Sequence, residues 1–153
     1  MKRLLCLMLT LVMIIPISGC GKTEEEKWEE SEIEAFDECF EILFDKGTPA
    51  TNNPNCAYYQ NEKVIMYGNA SNLFGYNLED GKIVSGVVCM KYADKEHAMD
   101  SYNDIVRSGD TDEINRSYVA GPYLVCNMKE DAIEDLTTEG VMFIYMLWAG
   151  TSN

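Results

Sequence analysis

The sequence has a single histidine, His97, among its 153 residues. A His-Glu-x-x-His zinc pair is therefore excluded, and any nucleophilic centre that needs an imidazole has only His97 to draw on. His97 follows Asp94, Lys95 and Glu96 and precedes Asp100, in what reads as the first turn of a helix. Negative neighbours favour its charged form, which suits a solvated helix residue better than a general base. Glycine signatures are missing as well. There is no phosphate-binding glycine loop, no dinucleotide fingerprint and no Gly-x-Ser-x-Gly elbow, since Ser85 precedes Gly86 but has no glycine two positions before it. Basic residues are few, 12 Lys and Arg against 26 Asp and Glu for a formal charge of −14. That balance excludes a nucleic-acid partner, whose phosphates must be met by clustered cations. No apolar run reaches the roughly 20 residues that cross about 30 Å of hydrocarbon. With 46% hydrophobic residues, the chain is too apolar to be disordered throughout and too short for two well-filled interiors.

Much of what is present lies at the N-terminus. Lys2 and Arg3 precede an apolar run from Leu4 to Ile15, then Pro16, Ile17, Ser18, Gly19 and Cys20. A charged start, a short hydrophobic stretch and small residues at its end make a secretion leader. Ile17, Ser18, Gly19 and Cys20 resemble the lipobox of bacterial lipoproteins, a resemblance confined to residues 1–20. It implies a thioether-linked diacylglycerol on Cys20, cleavage after Gly19, and a location on the extracytoplasmic face of the cell membrane. Two acyl chains hold stably where one binds marginally, since each buried methylene contributes about 0.8 kcal/mol. The expected division is a cleaved signal peptide over 1–19, a lipidated tether over 20–26 and one folded domain over 27–153. Cleavage would remove Lys2 and Arg3 and no acid, leaving 10 basic and 26 acidic residues and a formal −16. The acids are spread along the chain, as expected for solvation.

Cys6 would leave with the leader and Cys20 would be lipidated, so Cys39, Cys56, Cys89 and Cys126 remain. Two readings stand side by side. One is a pair of disulfides, with Cys39 to Cys56 preferred because the two are close in sequence and Cys89 to Cys126 because they lie in two apolar strand-like segments. The other is four reduced, buried thiols acting as small hydrophobes. No two of them form a Cys-x-x-Cys pair, which weighs against redox catalysis and structural zinc.

Along the folded part, residues 24–46 read as one long helix, with Ile33, Phe36, Phe40, Leu43 and Phe44 at helical spacing. Gly47, Thr48 and Pro49 stop it, the glycine as a left-handed cap. Strands are expected near Tyr58 and Tyr59, over Val64 to Tyr67, over Leu73 to Leu78, over Ile83 to Tyr92 and over Tyr118 to Met128, the last interrupted by Gly121 and Pro122. Glu79, Asp80 and Gly81 make a hairpin turn. Val84, Val88, Met90 and Tyr92 are expected on one face of their strand. Asp94 caps a second helix with Ala98, Tyr102, Ile105 and Val106 as its apolar stripe, and Lys129 to Leu136 reads as a short helix. Val141 to Trp148 suits a buried strand or a buried helix; the spacing of Ile144, Tyr145 and Trp148 from Val141 favours helix. The expected fold is α+β, a mainly antiparallel sheet of four or five strands with a long N-terminal helix and further helices packed on it. Residues 83–128 have the order of a ferredoxin-like half, which carries no functional weight.

Two clusters invite a functional reading. Asp110, Asp112 and Glu113 offer three carboxylates in one loop, either a weak hard-cation site without EF-hand spacing or a solvated turn. Tyr58, Tyr59, Tyr67 and Tyr76, near many asparagines, are either sheet-packing aromatics or an exposed row for glycan or protein. A paired-carboxylate wall hydrolase needs only two acids at the right separation, and 26 acids nominate none. No catalytic residue, metal ligand or cofactor is nominated beyond the diacylglycerol on Cys20. The leading expectation is a non-catalytic interaction module, held to the membrane by its lipid and meeting an envelope protein. The alternative is a small-ligand or cation binder serving a transporter or sensor.

Overall fold

The computed structural model describes residues 21–151; the leader and Cys20 lie outside the described residues. Thr23 opens the first helix, α1 (Glu24–Lys46), through a reciprocal capping box with Glu26, and Glu24, Glu25 and Glu26 complement its positive end. Residues 24–26 of the expected tether are thus helical. Gly47 ends α1, with its N–H on the Leu43 carbonyl at 3.0 Å, but its backbone is extended (φ −74°) and not left-handed. What demands glycine there is space: a Cβ would stand 2.1 Å from the Leu43 oxygen.

Seven strands follow: β1 (Thr48–Ala50), β2 (Asn53–Gln60), β3 (Val64–Gly68), β4 (Asn72–Glu79), β5 (Lys82–Lys91), β6 (Ser117–Ala120) and β7 (Tyr123–Asn127). They pair antiparallel in the order β1-β2-β3-β4-β5-β7-β6. The four or five expected strands become seven for two reasons. Thr48–Ala50, read as a helix stop, pairs with β2 as a short edge. The single strand expected over 118–128 folds back at Gly121 (φ +53°) and Pro122, so that Val119 faces Leu124. The β4–β5 turn has positive φ at both Asp80 (50°) and Gly81 (76°), the backbone that matches strand twist. A register shift after Asn77 puts Ile83, not Val84, into the core.

Four more helices complete the described chain: α2 (Lys95–Ser108), α3 (Thr111–Arg116), α4 (Glu130–Glu134) and α5 (Thr138–Thr151). Asp94 caps α2 by accepting from the His97 N–H, and left-handed Gly109 closes it. Its buried contact is Ala98; Tyr102 and Ile105 are half-buried, and Val106 is exposed. Because β5 and β7 are antiparallel neighbours, the segment 83–128 is not a parallel βαβ crossover.

Side-chain alternation gives the sheet two buried faces. Phe36, Cys39, Phe40 and Leu43 of α1 cover one, over Ala57, Met66, Leu73, Val87, Cys89, Tyr123 and Val125. Val141, Tyr145 and Ala149 of α5, with Ile133 of α4, cover the other, over Cys56, Tyr58, Ile65, Tyr67, Tyr76, Leu78 and Ile83. With both faces covered, β3 is buried at Ile65, Met66 and Tyr67 in succession, which is why its sequence is continuously apolar.

Candidate functional site

The sequence-predicted sites separate once the two faces are known. Three of the four tyrosines are interior: Tyr58, Tyr67 and Tyr76 are buried beneath α5. The Tyr67 ring lies 4.7 Å from Phe74, 5.6 Å from Tyr145 and 5.7 Å from Trp148, centroid to centroid, distances at which aromatic pairs attract. Burial pushes the Tyr67 hydroxyl well above its usual range. Tyr59 is on the opposite face, half-buried against the α1 core. The four therefore form no exposed row. The neighbouring asparagines build turns: the Asn61 and Asn69 side-chain oxygens each accept two backbone N–H groups, from Lys63 and Val64 and from Ser71 and Asn72.

The expected cation loop is the first turn of α3. Asp110 accepts from the Asp112 and Glu113 N–H groups as an N-cap, and Asp112 pairs with Lys129 at 2.8 Å. The Lys129 ammonium holds the Asp112 carboxyl below its ordinary value. Asp110 is occupied by the helix start and Asp112 by a lysine, and no group of three or more metal-ligating side chains occurs among the described residues. His97 is exposed, with Nδ1 2.7 Å from Asp94, whose carboxylate raises its pKa.

Neither preferred disulfide is present, and all four described cysteines are thiols. Cys39 and Cys56 belong to the cores on opposite faces of the sheet. Cys89 faces Val125 while Cys126 faces Val88, so adjacent strands send these two side chains to opposite faces. Burial pushes the Cys39 thiol up to about 12 and raises Cys89 as well, which disfavours the reactive thiolate.

Several acids of α1 are spent on packing. Tyr118 donates to Glu32 at 2.6 Å, Tyr123 donates to Asp37, and the Gly121 N–H donates to Glu29 at 2.9 Å. The Lys95 ammonium, then the Gly121 N–H, hold the Glu29 carboxyl below its ordinary 4.5. A depressed folded-state pKa contributes stability that is present above the unfolded value and lost as pH falls through the folded one. Glu29→Gln is therefore expected to cost about 1 kcal/mol at pH 7. In urea titrations its difference from wild type should shrink toward zero below the depressed Glu29 pKa. A difference that stayed constant down to pH 3 would contradict the assignment.

The feature that spacing did not isolate is the outer side of α5. Its inner side is set by Val141, Tyr145 and Ala149 at i, i+4 and i+8, with Trp148 beside them. Ile144, expected on that stripe, is 39% exposed. Outside, Phe143 and Leu147 are each 58% exposed, Met146 57% and Met142 36%. The helix carries one charged side chain, Glu139, in its first turn. An open groove of about 410 Å³ continues the surface toward β1, lined among others by Thr48, Ala50, Tyr58, Met142, Tyr145 and Met146 and by no charged residue. A surface of this kind attracts apolar groups. The absence of polar residues on the outer side was the available signal, but a run of eight apolar residues looks the same when buried on every side.

The chain matches no family model, no curated protein and no solved structure.

Proposed function

We propose that the protein is a lipid-anchored, non-catalytic interaction module on the extracytoplasmic face of a bacterial membrane, held through diacylglycerol on Cys20 and docking through the outer side of α5. The observation that carries the docking half is the exposure of Phe143, Met146 and Leu147 on one helix. Each Å² of apolar surface left in water costs about 25 cal/mol, and contiguous patches of several hundred Å² on soluble domains mark interaction sites. The anchoring half rests on Ile17, Ser18, Gly19 and Cys20. A second reading, a site for a small apolar ligand, is favoured by the uncharged groove between α5 and β1, whose volume lies within the usual range for ligand sites.

The test uses the full chain in its host. Cys20→Ala is expected to leave the chain uncut at Gly19 and unlabelled by a fatty-acid probe. A photoreactive phenylalanine analogue at position 143 should give a protein adduct on illumination, and the same analogue at Ser71 should not. Acyl labelling of Cys20→Ala would overturn the anchor. Absence of any adduct at 143 would overturn docking through α5.

A further inference from the structure

The occupant of this face follows from charge, shape and area. We propose that it is a second copy of the same chain, with α5 packed antiparallel on α5 across a two-fold axis; this rests on the docking reading above and names its partner. Phe143, Met146, Leu147 and Gly150 stand at i, i+3, i+4 and i+7, one stripe down the outside of the helix. Phe143 projects and is 58% exposed. Gly150 is a hole in the same stripe, where a Cβ would meet nothing within 4 Å. Around a two-fold axis between positions 146 and 147, each Phe143 lies over the second copy's Gly150 and each Met146 against the second copy's Leu147. The Phe143 knob then meets the Gly150 hole on an identical chain, the self-complementarity that an isologous interface requires.

Charge selects the same face. The chain carries a formal −14, and exposed acids such as Glu34, Glu41 and Asp45 line the outside of α1, so two copies approaching there repel each other. On α5 the lone Glu139 sits in the first turn, and antiparallel pairing of a helix about 21 Å long puts the two copies of it at opposite ends. A bilayer is the poorer occupant. Interfacial helices bring Lys and Arg to anionic headgroups, α5 has neither, and the acidic domain is repelled by such a surface. The exposed parts of Met142, Phe143, Ile144, Met146 and Leu147 amount to about 500 Å² per copy, so covering all of them in a pair removes about 1,000 Å², the lower limit for a specific interface.

Met146→Cys in the full chain, oxidised in host membranes with copper–phenanthroline, tests the pairing. The expected product on a non-reducing gel is a band at twice the monomer mass, at least tenfold stronger than from Ser71→Cys or from wild type, whose native thiols are not on this surface. Adding Phe143→Glu or Gly150→Phe should remove the band, while thermal melting of these variants followed by circular dichroism stays near that of wild type, because both positions are exposed. No doubled band from Met146→Cys, or one equal to that from Ser71→Cys, overturns self-pairing. If the position-143 adduct then has another mass, docking through α5 survives with a different partner. If there is no adduct either, both readings fail.

Discussion

Tyr123→Ala is expected to destabilise the folded protein by about 4 kcal/mol, read as a lowered urea midpoint. Tyr123 is fully buried and sits where α1 meets β7, its ring 5.5 Å from Phe36 and 5.9 Å from Phe40. Lys91 Nζ lies 5.4 Å from the ring centroid and 3.4 Å from Asp37, the carboxylate that accepts the Tyr123 hydroxyl. Truncation removes the ring from three partners at once and leaves a cavity between a helix and a sheet, neither of which closes easily. Tyr123→Phe keeps the ring and loses one hydrogen bond to a carboxylate that water can reach, so about 1 kcal/mol is expected. The two values separate packing from hydrogen bonding. An Ala variant costing less than about 2 kcal/mol would mean that α1 is not seated on β7 in this way.

Gly68→Ala should come close behind, at about 3 kcal/mol, although it adds a single methyl group. A Cβ at Gly68 would stand 2.1 Å from the main-chain oxygen of Asn72. That oxygen accepts the Asn69 N–H at 2.8 Å across the β3–β4 turn, so it cannot yield without breaking the turn and shifting the Gly68–Leu73 pairing. Gly121 and Gly81 provide the scale. At Gly121 the added methyl meets the tip of Ile33, which can change rotamer, and at Gly81 it meets nothing; both have positive φ. The Gly81 variant is expected to cost about 1 kcal/mol for backbone strain alone, with Gly121 between the two. Thermal melts of the three alanine variants should follow that order, and a neutral Gly68→Ala would refute the contact.

The parts of the fold legible in the residues were those decided within a few positions. The apolar spacing over residues 24–46 marks α1, Asp80 and Gly81 mark a hairpin, and Asp94 marks the start of α2, because caps, turns and helical stripes are made by neighbours in the chain. Asp110 shows the limit of that logic. It makes the same kind of cap for α3, but a six-residue helix has too little apolar periodicity to separate it from an acidic loop. The hairpin at Gly121 was hidden for a related reason. Glycine and proline inside a strand can mean a bulge, an edge or a reversal, and only the pairing of Val119 with Leu124 selects the reversal.

The candidate site was less legible than the fold. Tyr58, Tyr67 and Tyr76 drew attention as polar-tipped aromatics, yet α5 lies over all three. Closeness in sequence favours Cys39 with Cys56 and shared strand character favours Cys89 with Cys126, but strand alternation and the two-faced sheet distribute them differently. In α5, every residue from Val141 to Trp148 is apolar or aromatic, so no polar face distinguishes inside from outside. Local chemistry alone was enough to mark the extent of α1, the Asp80–Gly81 turn and the start of α2, since each depends on side chains a few positions apart. Which apolar residues became core and which became surface was decided only when seven strands formed a layer wide enough to take a helix on each side. The layer on that face had room for Val141, Tyr145 and Ala149, and Phe143, Met146 and Leu147, about half a helical turn away, were left facing water.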